Sequence, residues 1–221
     1  VNPEFHKIEG WAFESEQEAL CQLAQELPTY SSIAEIGVWA GRTFMPLAQG
    51  VWGRGGVAYA IDSWDGSKVE NLHMAYEFEF AYEKFLVNLE KFGLIGFSTI
   101  FRGSGLRAAS DLHISNLRLV HLDAGDSGWE TFALLSAWWL RLEKGGFLAI
   151  HDVKAPVLKH GYDNIGTTVT TEDYQRYGTM EHLSQETGRP DVGVLRATLL
   201  WEKLQGVERH SETAGHWIWQ K

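Results

Sequence analysis

The sequence predicts an α/β fold: a Rossmann-like open sheet, mostly parallel, with helices on both faces and a C-terminal antiparallel hairpin. Three observations predict it. Short apolar runs alternate with helix-period segments from Ser32 to Val153, the pattern of a parallel sheet crossed by helices. Each apolar run ends in glycine or a polar residue, which gathers chemistry at the carboxyl edge of the strands. Two final strand-like segments, Val207 to Glu212 and His216 to Gln220, flank the turn residues Thr213-Ala214-Gly215.

The elements follow in order. Ser15 with Glu18 reads as a capping box, and Ala19, Leu20, Leu23, Ala24 and Leu27 continue at helical spacing until Pro28 stops it. Ser32 to Ile36 is the first strand; Arg42 to Ala48 turns helical. Val57 to Ile61 is the second strand, ending in Asp62-Ser63-Trp64. From Leu72 to Phe92 apolar residues recur every three or four positions, and Gly93 closes that helix. Ser98 to Phe101 is the third strand, followed by Arg102-Gly103-Ser104-Gly105 and a short helix. Leu117 to Leu122 is nearly all apolar, as a buried parallel strand should be, and ends in Asp123-Ala124-Gly125-Asp126. Thr131 to Leu142 is helical, Phe147 to Ile150 is the fifth strand, and His151-Asp152-Val153 ends it. Lys154 to Asp191 has no clear period, and Val192 to Leu204 returns to a helix. The whole chain, 1–221, reads as one domain, with residues 1–30 as an N-terminal helix and cap and 154–191 as a substrate lid.

Composition narrows the function. A formal net charge of −10 disfavours nucleic acid and anionic membrane as partners. One cysteine, Cys21, cannot form an internal disulfide, which points to an intracellular, cytoplasmic protein. No apolar run is long enough to span a bilayer, and Val1 to Phe5 does not read as a charged-then-apolar leader. Ten tryptophans are expected mainly in the core, with Trp11 and Trp64 as candidate flat walls for a ring-bearing ligand.

The turn from Glu35 to Arg42 carries the most information. Its spacing is Gly37-x-x-x-Gly41, not the three-glycine fingerprint that brings backbone against a pyrophosphate, and acidic Glu35 faces a ligand that tolerates negative charge. Asp62 closes the second strand where a carboxylate accepts the hydroxyls of a ribose. Asp123, His151 and Asp152 end neighbouring strands and should converge. His121, inside the fourth strand, reads as a satisfied core histidine, and His6, His113, His210 and His216 as surface or packing residues.

Taken together, these segments resemble the class I S-adenosylmethionine (SAM)-dependent methyltransferases. Within them the chain is similar to the branch of bacterial small-molecule and sugar O-methyltransferases related to cephalosporin-type methyltransferase proteins. The segments that carry the likeness are Gly10-Trp11, Glu35 to Thr43, Ile61 to Trp64, Asp123, and His151 to Val153. The resemblance implies SAM as cofactor. Glu35 and Gly37 would approach its methionine portion, and Trp39 and Thr43 would line the cleft. Asp62, with Ser63 and Trp64 beside it, would bind the ribose, Gly103 and Ser104 would meet the adenine, and Asp123 would sit near the amine and the methyl group.

The resemblance also implies transfer to a hydroxyl of a small molecule, a natural product or a sugar. Transfer to nitrogen or carbon, a non-methylating reaction, and a non-catalytic SAM-binding accessory role are the alternatives, and homo-oligomerisation is left open. For the chemistry, Asp123, His151 and Asp152 are the candidate ligands of a divalent metal such as Mg²⁺. Histidine departs from the family's carboxylate at the middle position, and an imidazole there is also a candidate general base. Asp126 is a third catalytic candidate, as a replacement ligand or to orient His151.

Overall fold

The structure is a computed structural model that describes residues 1–10, 12–65, 80–124, 128–151, 153, 190–213 and 216–221. A seven-stranded sheet forms its centre, built from β1 (Ser32–Ile36), β2 (Ala58–Asp62), β3 (Ser98–Arg102), β4 (Leu117–Leu122), β5 (Phe147–Ile150), β6 (Ser211–Thr213) and β7 (His216–Gln220) in the order β3-β2-β1-β4-β5-β7-β6. The first five strands pair in parallel; β7 runs antiparallel to β5 and to β6. Strand order reverses between β1 and β4, and the crevice outside their carboxyl ends is where such a sheet binds ligands.

Helices cover both faces because parallel strands are apolar on both. On one face α1 (Glu14–Glu26), α2 (Phe44–Val51) and α3 (Ala81–Lys91) pack Leu20, Ala24, Phe44, Leu47, Phe85 and Leu89 onto Ile33, Ala58, Leu119, Ala149 and Ile218. On the other, α4 (Gly105–Asp111), α5 (Gly128–Arg141) and α6 (Pro190–Gln205) pack Ala108, Leu134, Trp138 and Trp201 onto Ala34, Ile36, Val120, Leu148 and Trp219. Residues two apart along each strand therefore share a face. Trp201 is the hub of the second layer, edge-on to Trp139 at 5.4 Å and to Trp219 at 5.3 Å.

One side chain makes three of the bonds that tie the N-terminal segment to the rest of the fold. Arg42, just after the first glycine turn, donates from Nε to the Ala12 carbonyl at 2.6 Å and from Nη1 to the carbonyls of His6, at 2.8 Å, and Ile8.

The start of α1 differs from its sequence reading. Its N-cap is Phe13, and Glu16 at the third helical position accepts the Phe13 N–H at 2.6 Å, so Ser15 lies inside the first turn and the Ser15–Glu18 box is not formed. Pro190 and Asp191, read as the end of a lid, begin α6 instead. The rest of that segment, 154–189, and the expected helix before residue 80 lie outside the described residues, as do Trp11, Asp126 and Asp152.

Candidate active site

Asp62, the last residue of β2, organises the crevice. Its Oδ2 accepts the backbone N–H groups of Val38 and Trp39 at 2.7 and 2.8 Å, and its Oδ1 accepts that of Trp64 at 2.8 Å. The glycine loop thus turns its amides toward a carboxylate of its own sheet, which suits a ligand without phosphate. Trp39 and Trp64 both hold a left-handed backbone, with φ of 47° and 45°, a conformation that costs a bulky residue about 1–2 kcal/mol. The Trp64 indole N–H donating to the Trp39 carbonyl at 2.8 Å locks the two together. Gly37, with φ of 87°, is obligatory for a second reason: a Cβ there would stand 2.0 Å from the Asp123 carbonyl oxygen.

Around this loop the strand ends stay open. Gly37, Trp39, Asp62, Ser63, Gly103 and Asp123 are partly exposed and Ser104 is exposed, and together they cross the ends of β1, β2, β3 and β4. Asp62 Oδ1, with one backbone N–H on it, retains capacity to accept a hydroxyl. This donor and acceptor set fits the ribose and amine of SAM.

Three of the residues expected to line the cleft are turned inward. Glu35 is fully buried; its Oε1 accepts from the Thr43 hydroxyl at 2.5 Å and pairs with His121 Nδ1 at 2.8 Å. Its side chain shares the face of Ile33, toward α2, so it braces the turn from behind and does not face a ligand. Burial pushes its carboxyl pKa up, against the hydrogen bonds from His121 and Thr43. Thr43 spends its hydroxyl on that contact. Trp64 stacks on Phe85 at 5.3 Å inside the core and is no wall for an acceptor.

The strand-end histidine is held, not presented. His151 Nδ1 lies 3.2 Å from Asp123 Oδ1 and Nε2 lies 3.1 Å from Glu16 Oε1. Both ring nitrogens are thereby engaged by carboxylates, and the side chain is 7% exposed. Neither nitrogen is aimed into the crevice to deprotonate an acceptor. Among the described residues no group of three ligating residues is placed to hold an ion: Asp123 and His151 point at each other and the second nitrogen meets Glu16, while Asp152 lies outside those residues.

Behind His151 lies a histidine stack. His216 packs against His151 at 4.9 Å between ring centroids, and its Nε2 is 3.1 Å from His121 Nε2. His121 has the core role expected of it. His216, read as a surface or packing residue, is 1% exposed and part of this polar network. Asp123 feels the whole stack: burial raises its pKa, but His151 beside it, with His121 and His216 further off, outweighs that and holds it down to about 2.

Sequence reasoning missed Glu16 and His216. The available signal was strand parity: Glu35, His121, His151 and His216 each lie two residues from an apolar residue of the first-face core, namely Ile33, Leu119, Ala149 and Ile218.

The family described as Methyltransferase domain matches residues 34–153, more than half of the 221-residue chain and the stretch that holds the carboxyl ends of β1 to β5. The chain belongs to this methyltransferase family. Its sheet is that of the class I SAM-dependent methyltransferases, as solved structures show. An O-methyltransferase from Bacillus cereus in complex with S-adenosylhomocysteine (SAH) is 15% identical with a TM-score of 0.63, over 97% of this chain and 85% of that one. A Staphylococcus aureus protein provisionally described as a caffeoyl-CoA O-methyltransferase is 16% identical with a TM-score of 0.62, over 99% and 88%. A Clostridium thermocellum protein provisionally described as an rRNA methylase is 13% identical with a TM-score of 0.55, over 95% of each chain. At these identities the methyltransferase shares a fold with them, and its acceptor is a separate question. No curated protein matches the sequence. Among the described residues no helix is long and apolar enough to cross a membrane.

Proposed function

We propose that this methyltransferase transfers the methyl group of SAM to a hydroxyl of a small molecule, with the cofactor in the crevice at the ends of β1 to β4. The observation that carries the reading is the Asp62 carboxylate, half-open at the end of β2 and holding the glycine turn in place with three backbone N–H groups. Bound SAM supplies an electrophilic methyl on sulfur. The chain's own residues bind, orient and exclude water around it.

In this reading Asp62 Oδ1 accepts a ribose hydroxyl and Ser63 lies beside it. Gly37 and Trp39 give the methionine portion its floor, and Gly103 and Ser104 border the adenine. Asp123 is suited to meet the cofactor's amine, because a carboxyl held near a pKa of about 2 stays ionised at any physiological pH. The same property makes it a poor base. Proton removal from the acceptor is therefore not assigned to Asp123 or His151. The net charge of −10 and the oxygen-acceptor neighbours favour a small hydroxylated molecule over nucleic acid. Incubating the protein with SAM and a panel of phenols, sugars, hydroxylated polyketides, amines and RNA, with mass spectrometry of the mixture, tests this. A methyl ether with equimolar SAH supports it; methylated amines alone, or methylated RNA alone, would replace it.

A further inference from the structure

Glu16 has two carboxylate oxygens and two different donors. Its Oε2 accepts the Phe13 N–H at the start of α1, and its Oε1 meets His151 Nε2 at the end of β5. Its side chain and that of His151 are each 7% exposed, so water does not substitute for either contact. On the far side of the same ring Nδ1 reaches Asp123 Oδ1, and the Asp123 side chain keeps 32% of its surface open at the strand end. His216 lies against the ring at 4.9 Å, closing it from the β7 side.

We infer that Glu16 is a positioning residue that, through the His151 ring, sets the Asp123 carboxylate at the mouth of the crevice and joins the N-terminal helix to that edge. A carboxylate can only accept, so a ring between Glu16 and Asp123 carries a proton on each nitrogen. Glutamine at position 16 changes that pattern without changing shape. With its oxygen on the Phe13 N–H, its amide NH₂ must donate to His151 Nε2, which then bears no proton, while Nδ1–H still serves Asp123. The part played by Asp123 in methyl transfer rests on the proposed function; the Glu16–His151–Asp123 arrangement does not.

Long-range ¹H–¹⁵N spectra of the intact protein without SAH, assigned with the aid of His151→Gln, test the inference. Wild type should show slowly exchanging protons on both His151 nitrogens. In Glu16→Gln the Nε2 proton should vanish and the Nδ1 proton remain. Phe13→Pro removes the capped N–H together with an exposed ring, and Glu18→Gln removes an exposed charge on the same helix; both should keep the wild-type pattern. SAH affinity should fall roughly threefold to tenfold in Glu16→Gln and hold in the other two. A wild type without the Nε2 proton, a Glu16→Gln protein that retains it, or a Phe13→Pro protein that loses it would each overturn the assignment. Absence of SAH binding by wild type with the imidazole pattern intact would defeat the reading of the crevice and leave Glu16 its role.

Discussion

Replacing Asp62 should loosen the glycine turn before it does anything else. Its carboxylate takes N–H groups from Val38, Trp39 and Trp64 at 2.7–2.8 Å. A hydrogen bond to a charged group contributes about 1.5–3 kcal/mol, and in Asp62→Ala three amides lose one at once. Asp62 is half-exposed, so water recovers part of that loss. Trp39 and Trp64 meanwhile lose the contacts that hold their left-handed backbone. The net cost should be about 2–4 kcal/mol. Asp62→Asn keeps one acceptor, which can serve the Val38–Trp39 pair while its NH₂ faces the Trp64 N–H, and should cost about half as much. Urea unfolding of wild type and both variants, followed by tryptophan fluorescence, gives the numbers. An Asp62→Ala protein within about 0.5 kcal/mol of wild type would refute the view that this carboxylate builds the turn.

Three further outcomes follow from the same geometry. Gly37→Ala puts a Cβ 2.0 Å from the Asp123 carbonyl in a backbone of φ 87°, and should lower stability by about 3–5 kcal/mol in thermal unfolding; a loss under about 1 kcal/mol would show that the β1–β4 ends can part. Asp123 has its pKa lowered from 3.8 to about 2, so its contribution, about 2 kcal/mol, is fully present above pH 3.8 and fades as pH falls through about 2. Asp123→Asn should therefore be less stable than wild type near neutrality and converge with it in strong acid; parallel pH profiles would contradict the pairing with His151. Arg42→Ala frees three carbonyls of the N-terminal segment and should cost about 2–4 kcal/mol in urea unfolding, with Arg42→Lys recovering less than half; an Arg42→Ala protein as stable as wild type would show that the segment is held by its other contacts.

Much of this fold is legible in the sequence because each strand is a short apolar run with punctuation at its end. Leu117–Leu122 and Phe147–Ile150 match their predicted bounds, and β2 differs from its reading by one residue at each end. The hairpin is present but its first strand is shorter than read, Ser211–Thr213; just before it the His210 N–H still donates to the Ile218 carbonyl of β7 at 2.8 Å. The glycine turn and the acid after β2 are legible because both depend on local backbone requirements. The polar network is not, because Glu16, Glu35, His121, His151 and His216 come together only when α1 and four strands pack.

Glu16 shows how the context decides. By local preference Ser15 with Glu18 is the better cap, yet Glu16 is fixed by two partners, one of them His151 from β5, and the helix starts where Glu16 needs it to. Glu35 shows the converse. It reads as a strand-end acid facing a ligand, but its register opposite Ala60 and His121, on the Ile33 face, sends it into the interior. His151 ends β5 as read, and its ring meets Asp123 on one nitrogen and, on the other, Glu16, a neighbour invisible in the linear sequence.

Titrating SAH into the intact chain by calorimetry tests the central claim, that the crevice around Asp62 is the cofactor site. One SAH should bind per chain, and Asp62→Asn should weaken it about tenfold to a hundredfold, the loss of one charge-assisted contact to a hydroxyl. Absence of heat from wild type, or equal affinity in a folded Asp62→Asn protein, would contradict it.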